Sequence, residues 1–227
     1  MPSGGAAVPS PLPGESPLFH RQDSVTKTAR ILVAVAALLM TLGYVLPLWR
    51  VNLVAPQYPE GLGILIKVNT VVGVKEQDLN SINNLNHYIG MKHIEPDAIP
   101  ELKYMPTVLG ALIATALLVA AFGRRKVLFA WSVAFVGVLV AGLVDYAKWG
   151  YDYGHNLDMT SAIIKIPGMT YQPPLIGSKQ LLNFTATSWP APGGWALVIA
   201  TGLVAYAVWL SRRAIAIPAL PTAAQLA

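Results

Sequence analysis

Four runs of apolar residues set the pattern of the chain: Ile31 to Trp49, Met105 to Gly123, Val127 to Ala147 and Trp195 to Leu210. Each approaches the ~20 residues that a helix needs to cross a bilayer, the last only with its flanks included. Only Arg124-Arg125-Lys126 separates the second run from the third, which leaves room for a tight hairpin alone. The pattern therefore predicts a membrane protein, mainly α, with transmembrane helices over residues 29–49, 105–123, 127–147 and 195–211. Two long loops, residues 50–104 and 148–194, separate them in pairs. Residues 1–28 are rich in Pro, Gly and Ser and read as a disordered tail, with a second tail over 212–227. The first run is too long for a signal-peptide core and no small-residue cleavage site follows it. It is read as an uncleaved helix with Tyr44 and Trp49 at its far interface.

The loops carry patterns of their own. Ile64 to Val74 is rich in β-branched residues around Asn69-Thr70, which predicts a short hairpin. Asp78 is placed to cap a helix presenting Leu79, Ile82, Leu85 and Ile89 at near-helical spacing, with Gly90 ending it. The second loop holds Pro167-Gly168, Pro173-Pro174 and Gly177, so it reads as mostly extended and turn-rich. Leu175, Leu181, Leu182 and Phe184 give it something to bury. Packed together, the two loops would form a small mixed α/β extracytoplasmic cap.

Composition strengthens the membrane reading. The 227 residues are 54% hydrophobic and 12% charged, about half the charge of a soluble domain. The net charge of +5 does not signal nucleic acid, because much of the Lys and Arg flanks apolar runs. The basic N-terminal flank (Arg21, Lys27, Arg30), Arg124-Arg125-Lys126 and Ser211-Arg212-Arg213 fall on one side. By the positive-inside rule that side, with both termini, is cytoplasmic, and both long loops face outward. Trp49, Tyr104, Tyr146, Trp149, Trp189 and Trp195 at the opposite ends suit an interfacial belt.

Chemistry concentrates in the outward loops. Three of the four histidines lie in Asn86–His93 and Tyr151–Met159, each run with a methionine, and Met105 and Met169 follow a little downstream. There is no cysteine. Imidazole and thioether without thiolate is a ligand set suited to copper rather than zinc. His87, Met91, His93, His155 and Met159 are the candidate metal ligands, with Glu95 and Asp97 able to add oxygen or to orient an imidazole. Met91 follows His87 by four residues, the spacing that stacks side chains on one helical face. The competing reading makes these histidines ordinary polar loop residues and Met91 a filler of a core gap.

Several functions are disfavoured. No apolar run contains a histidine to ligate haem, and none has an ionisable residue near its middle, as a proton-coupled transporter would. Gly-x-Ser-x-Gly, P-loop and His-Glu-x-x-His motifs are missing, so the chain is expected not to be an enzyme. Tyr151, Asp152, Tyr153 and His155 would be the polar groups of a membrane enzyme, the weakest of the readings. Asn183-Phe184-Thr185 matches a glycosylation sequon that matters only in a eukaryotic secretory context.

Four segments carry a resemblance: Tyr58–Leu62 (YPEGL), Leu85–Met91 (LNHYIGM), Tyr153–Leu157 (YGHNL) and Pro167–Gly177 (PGMTYQPPLIG). Together they resemble a family of small bacterial membrane proteins associated with copper-enzyme maturation, notably the accessory machinery of nitrous oxide reductase. The resemblance covers about residues 30 to 210. It implies an extracytoplasmic copper context, in agreement with the ligand inventory. The expectation is thus a multi-pass protein of the bacterial inner membrane, with its termini in the cytoplasm. It would act as a copper-handling chaperone for a periplasmic copper protein in denitrification. The rival expectation is an accessory subunit of a respiratory or oxidase complex, with the loops as docking surface.

Overall fold

The computed structural model describes residues 24–181 and 183–213. Most of the N-terminal tail and most of the C-terminal tail lie outside them. Five α-helices and five β-strands follow in the order α1 (Lys27–Val45), β1 (Trp49–Ala55), β2 (Tyr58–Ile66), β3 (Val71–Gly73), α2 (Asp78–Ile89), α3 (Pro100–Phe122), α4 (Arg125–His155), β4 (Gly177–Leu181), β5 (Phe184–Pro190), α5 (Pro192–Arg213). Four of the helices, α1, α3, α4 and α5, are long and apolar enough to cross a membrane. The antiparallel sheet, in the order β3-β2-β1-β5-β4, stands at one end of them.

Helices α1 and α5 pack closely, and both bury small residues, Ala29, Ala36 and Ala37 on α1 and Ala196, Ala200 and Ala207 on α5. At the basic end, Gly123 ends α3 in a left-handed conformation (φ 60°), and Arg30 donates from Nε to Ala120 O and from Nη2 to Ala121 O, both at 2.6 Å. These bonds give the last carbonyls of α3 the partners that a helix terminus lacks. Ser24 bridges Arg124 and Thr26 caps α1, so the ordered chain reaches back into the expected tail. Helix α4 joins the bundle through Leu128, Trp131 and Phe135, where the Trp131 ring stacks on Phe135 at 5.2 Å. Beyond Phe135 none of its side chains is buried until Gly150.

Several elements run differently from the sequence expectation. Helix α1 stops at Val45 and Trp49 opens strand β1, so Trp49 belongs to the sheet and not to a span. Helix α4 continues eight residues past Ala147. At 1.5 Å per residue its 31 residues are about 46 Å long, well beyond a ~30 Å hydrocarbon core. The second loop contributes two strands, and β5 pairs along its length with β1, from Trp49↔Pro190 to Val54↔Thr185. The hairpin predicted around Asn69-Thr70 forms between β2 and β3, closed by Lys67 N–H donating to Thr70 O at 2.8 Å.

Helix α2 packs on β2 and β3 and ends at Gly90 (φ 76°) as expected. Its start is held differently. Asp78 is the first helical residue and does not cap the helix. Its buried carboxylate accepts from the N–H of Gly63 (3.0 Å) and of Lys75 (3.1 Å), pinning the helix to the sheet. The small core beneath joins Ile64 and Val71 of the sheet to Ile94 and Leu102, with Trp149 and Tyr153 of α4 packed alongside.

Candidate functional site

Both loops meet where the sequence places its histidines. The Tyr88 carbonyl accepts from the N–H of Ile163 (3.1 Å) and of Ile164 (2.8 Å), and the Asp158 N–H donates to Gly90 O at 2.7 Å. The Gly90 position tolerates nothing larger, since an added Cβ would lie 2.7 Å from the Asp158 carbonyl oxygen. Lys92 Nζ bonds Asp152 Oδ2 at 2.9 Å, and the Tyr153 hydroxyl donates to His93 O at 3.2 Å. The segment from Tyr88 to His93 is therefore laced to the end of α4 and the loop behind it.

Of the five candidate ligands, His87 and His93 are both exposed and adjacent, their ring centroids 6.3 Å apart at 86°. Met91 is not stacked on His87 along one helical face, because α2 stops at Ile89 and the left-handed Gly90 redirects the chain. Its half-buried side chain lines a partly open cavity instead. His155 stacks on Tyr151 (3.9 Å, 17°) and its Nδ1 donates to the Tyr151 carbonyl at 3.0 Å. That bond leaves Nε2 with its lone pair free. Met159 is exposed at the following turn. Asp158 next to it is committed to that turn. It accepts from Thr160 Oγ1 (2.5 Å), Ser161 Oγ (2.7 Å) and the Thr160 N–H (2.9 Å), bonds that hold its carboxyl well below the usual carboxylate range. Among the described residues no group of three or more His, Asp or Glu is arranged around one metal position.

The cavity that Met91 lines is the larger feature of the cap. It is a partly open space of about 550 Å³ between the inner face of the sheet, the second half of α2 and the protruding end of α4. Val51, Leu53, Ile64 and Ala186 form its floor, Leu85 and Ile89 one wall, Trp149 and Gly150 another. None of its lining residues is charged. The wall at Tyr146 is fixed by fully buried Ser188. The Ser188 hydroxyl accepts from Trp49 Nε1 (2.7 Å), donates to Leu175 O (3.0 Å) and lies 3.2 Å from the Tyr146 hydroxyl. One hydroxyl thereby joins β1, β5, α4 and the second loop. Sequence reasoning missed it, since an isolated serine in a turn-rich stretch has no local signature.

The fold defines a multi-pass membrane protein bearing a small sheet domain. Compared with known proteins, the chain matches no family model and no curated protein.

Proposed function

We propose that the chain is a membrane-anchored accessory protein whose cap handles copper outside the cytoplasm, serving the maturation of a periplasmic copper enzyme such as nitrous oxide reductase. The observation that carries this reading is the exposed His87–His93 pair, with ring centroids 6.3 Å apart. A first-row metal about 2.0–2.1 Å from each imidazole nitrogen holds two bound rings roughly 5–6 Å apart, centroid to centroid. Small rotations of two exposed side chains close the remaining gap. His155, with Nε2 free, and Met159 supply further donors from the second run, while Met91 stands behind the pair in the cavity wall. Few, exposed and soft ligands suit a site that hands its metal on. The segments that resemble the copper-maturation family include Leu85–Met91 and Tyr153–Leu157, the same seam.

In this reading the basic end, with Arg30, Arg124–Lys126 and Arg212-Arg213, faces the cytoplasm of a bacterial inner membrane and the cap faces the periplasm. Isothermal titration of the full-length protein with cuprous ion tests it. Wild type is expected to bind one ion, and His87→Ala/His93→Ala to lose more than the roughly 10–100-fold that removal of a merely supporting group costs. Equal affinities in the two proteins would remove the proposal.

A second reading, an accessory subunit of a respiratory or oxidase complex, draws on the apolar surface of the second loop. Ile163, Ile164 and Ile176 are 63%, 46% and 53% exposed, more than a lone surface residue explains. It is distinguished by stoichiometric co-purification with partner subunits and no metal bound alone.

A further inference from the structure

We infer that the cap cavity is a binding site for the acyl tail of a membrane lipid, which enters sideways from the bilayer through a crevice between α3 and α4. The inference is independent of copper. It starts from the divergence of α4, which leaves a second apolar space of about 310 Å³ among the membrane helices, lined by Met105, Leu109, Leu112, Leu139 and Gly142. Ile66, Tyr146 and Trp149 line both this crevice and the cap cavity, so the two are separated by a partition one side chain thick. Tyr146 is held by Ser188, whereas Trp149 stacks on Tyr153 at 4.0 Å and packs beside the small core of Ile64, Val71, Ile94 and Leu102. Ile66 and Trp149 make up the apolar part of the partition.

The chemistry of the two spaces selects the occupant. The cap cavity, at about 550 Å³, lies within the size range of small-molecule sites, yet it offers only neutral amides and phenols among aliphatic and aromatic walls. Such a wall gives water too few partners to fill it well and gives a charged group none. The charged residues Lys67, Glu101 and Asp145 belong to the crevice instead, where a zwitterionic headgroup finds both signs. The polar links at Asp78, Ser188 and Lys92–Asp152 hold the walls apart. Gly150 adds an independent indication. It is buried in the cavity wall, yet a Cβ built there meets no atom within 4 Å, so the space in front of it is open.

The test uses the full-length protein in nanodiscs of phosphatidylethanolamine and phosphatidylglycerol, doped with a phosphatidylcholine carrying a diazirine at the end of one acyl chain. After irradiation, adducts are mapped by peptide mass spectrometry. Wild type is expected to show adducts on cap residues such as Leu85, Met91 and Phe184 as well as on the spans. Gly150→Leu, which adds a side chain to the cavity lining at a position whose Cβ meets no atom within 4 Å, is expected to reduce the cap adducts at least fivefold and leave those on the spans unchanged. Gly137→Leu, at an exposed position of α4 with open space around it, is expected to change neither. Adducts confined to the spans in wild type would overturn the inference. So would cap adducts that persist in a folded Gly150→Leu protein, which would point to labelling of the outer apolar surface.

Discussion

Replacing Ser188 by alanine removes one oxygen and unties four elements. Its hydroxyl is fully buried and bonds Trp49 Nε1, Leu175 O and the Tyr146 hydroxyl at 2.7, 3.0 and 3.2 Å. Each bond contributes about 1 kcal/mol net, and a buried group left without a partner costs about 1–3 kcal/mol. Trp49 and Tyr146 are only partly buried and recover some hydration. The expected loss is therefore about 2–4 kcal/mol, short of the full sum of three orphaned partners. The assay is reversible unfolding in mixed micelles with increasing SDS fraction, read by tryptophan fluorescence. Ser178→Ala, on the exposed edge strand β4, serves as control and is expected to stay within about 0.5 kcal/mol of wild type. Trp49→Phe and Tyr146→Phe should cost less singly, because Ser188 retains its other partners, and should couple when combined. A Ser188→Ala loss below about 1 kcal/mol would refute the claim that this hydroxyl joins sheet, helix and loop.

Four further perturbations probe the cap. Asp78→Ala strips the Gly63 and Lys75 amides of their acceptor and is expected to cost about 2–4 kcal/mol in the same unfolding assay, with α2 losing protection from hydrogen exchange first. Gly154→Ala places a Cβ 2.5 Å from Gln172 Cα, forcing backbone to move and straining the Tyr171 N–H to Gly154 O bond, so a loss of about 1–3 kcal/mol is expected. Gly150→Ala, four residues earlier in the same helix and free of neighbours, is expected to gain up to about 1 kcal/mol from helix propensity. The lowered pKa of Asp158 fixes a sign. Its turn is fully stabilised above the ordinary carboxylate value of about 3.9 and loses that support as pH falls toward the depressed folded value. Amide exchange at Thr160 and Ser161, corrected for intrinsic rates, should accelerate below about pH 4 in wild type and lose this dependence in Asp158→Asn.

The four membrane helices were legible because unbroken apolar length is a local property of sequence. Strand β1 carried a local signal as well. Trp49, Val51, Leu53 and Ala55 alternate with Arg50, Asn52 and Val54, but the alternation abuts α1 and was absorbed into its interface. The end of α4 was hidden because Asp145, Lys148 and Asp152 interrupt the apolar run without interrupting the helix. The β1–β5 pairing joins residues more than 130 positions apart, and no window on either strand reports its partner. At the site, the Met91 spacing misled because the helix had already ended. The cavity and the Ser188 bonds depend on several elements converging, which no single segment encodes.

Copper-edge X-ray absorption on the copper-loaded, desalted full-length protein tests the central claim most directly. One retained copper with two imidazoles in its scattering shell, falling to one or none in His93→Ala, is the expected result. A wild-type protein that retains no copper, or whose copper scattering is unchanged in His93→Ala, would contradict it.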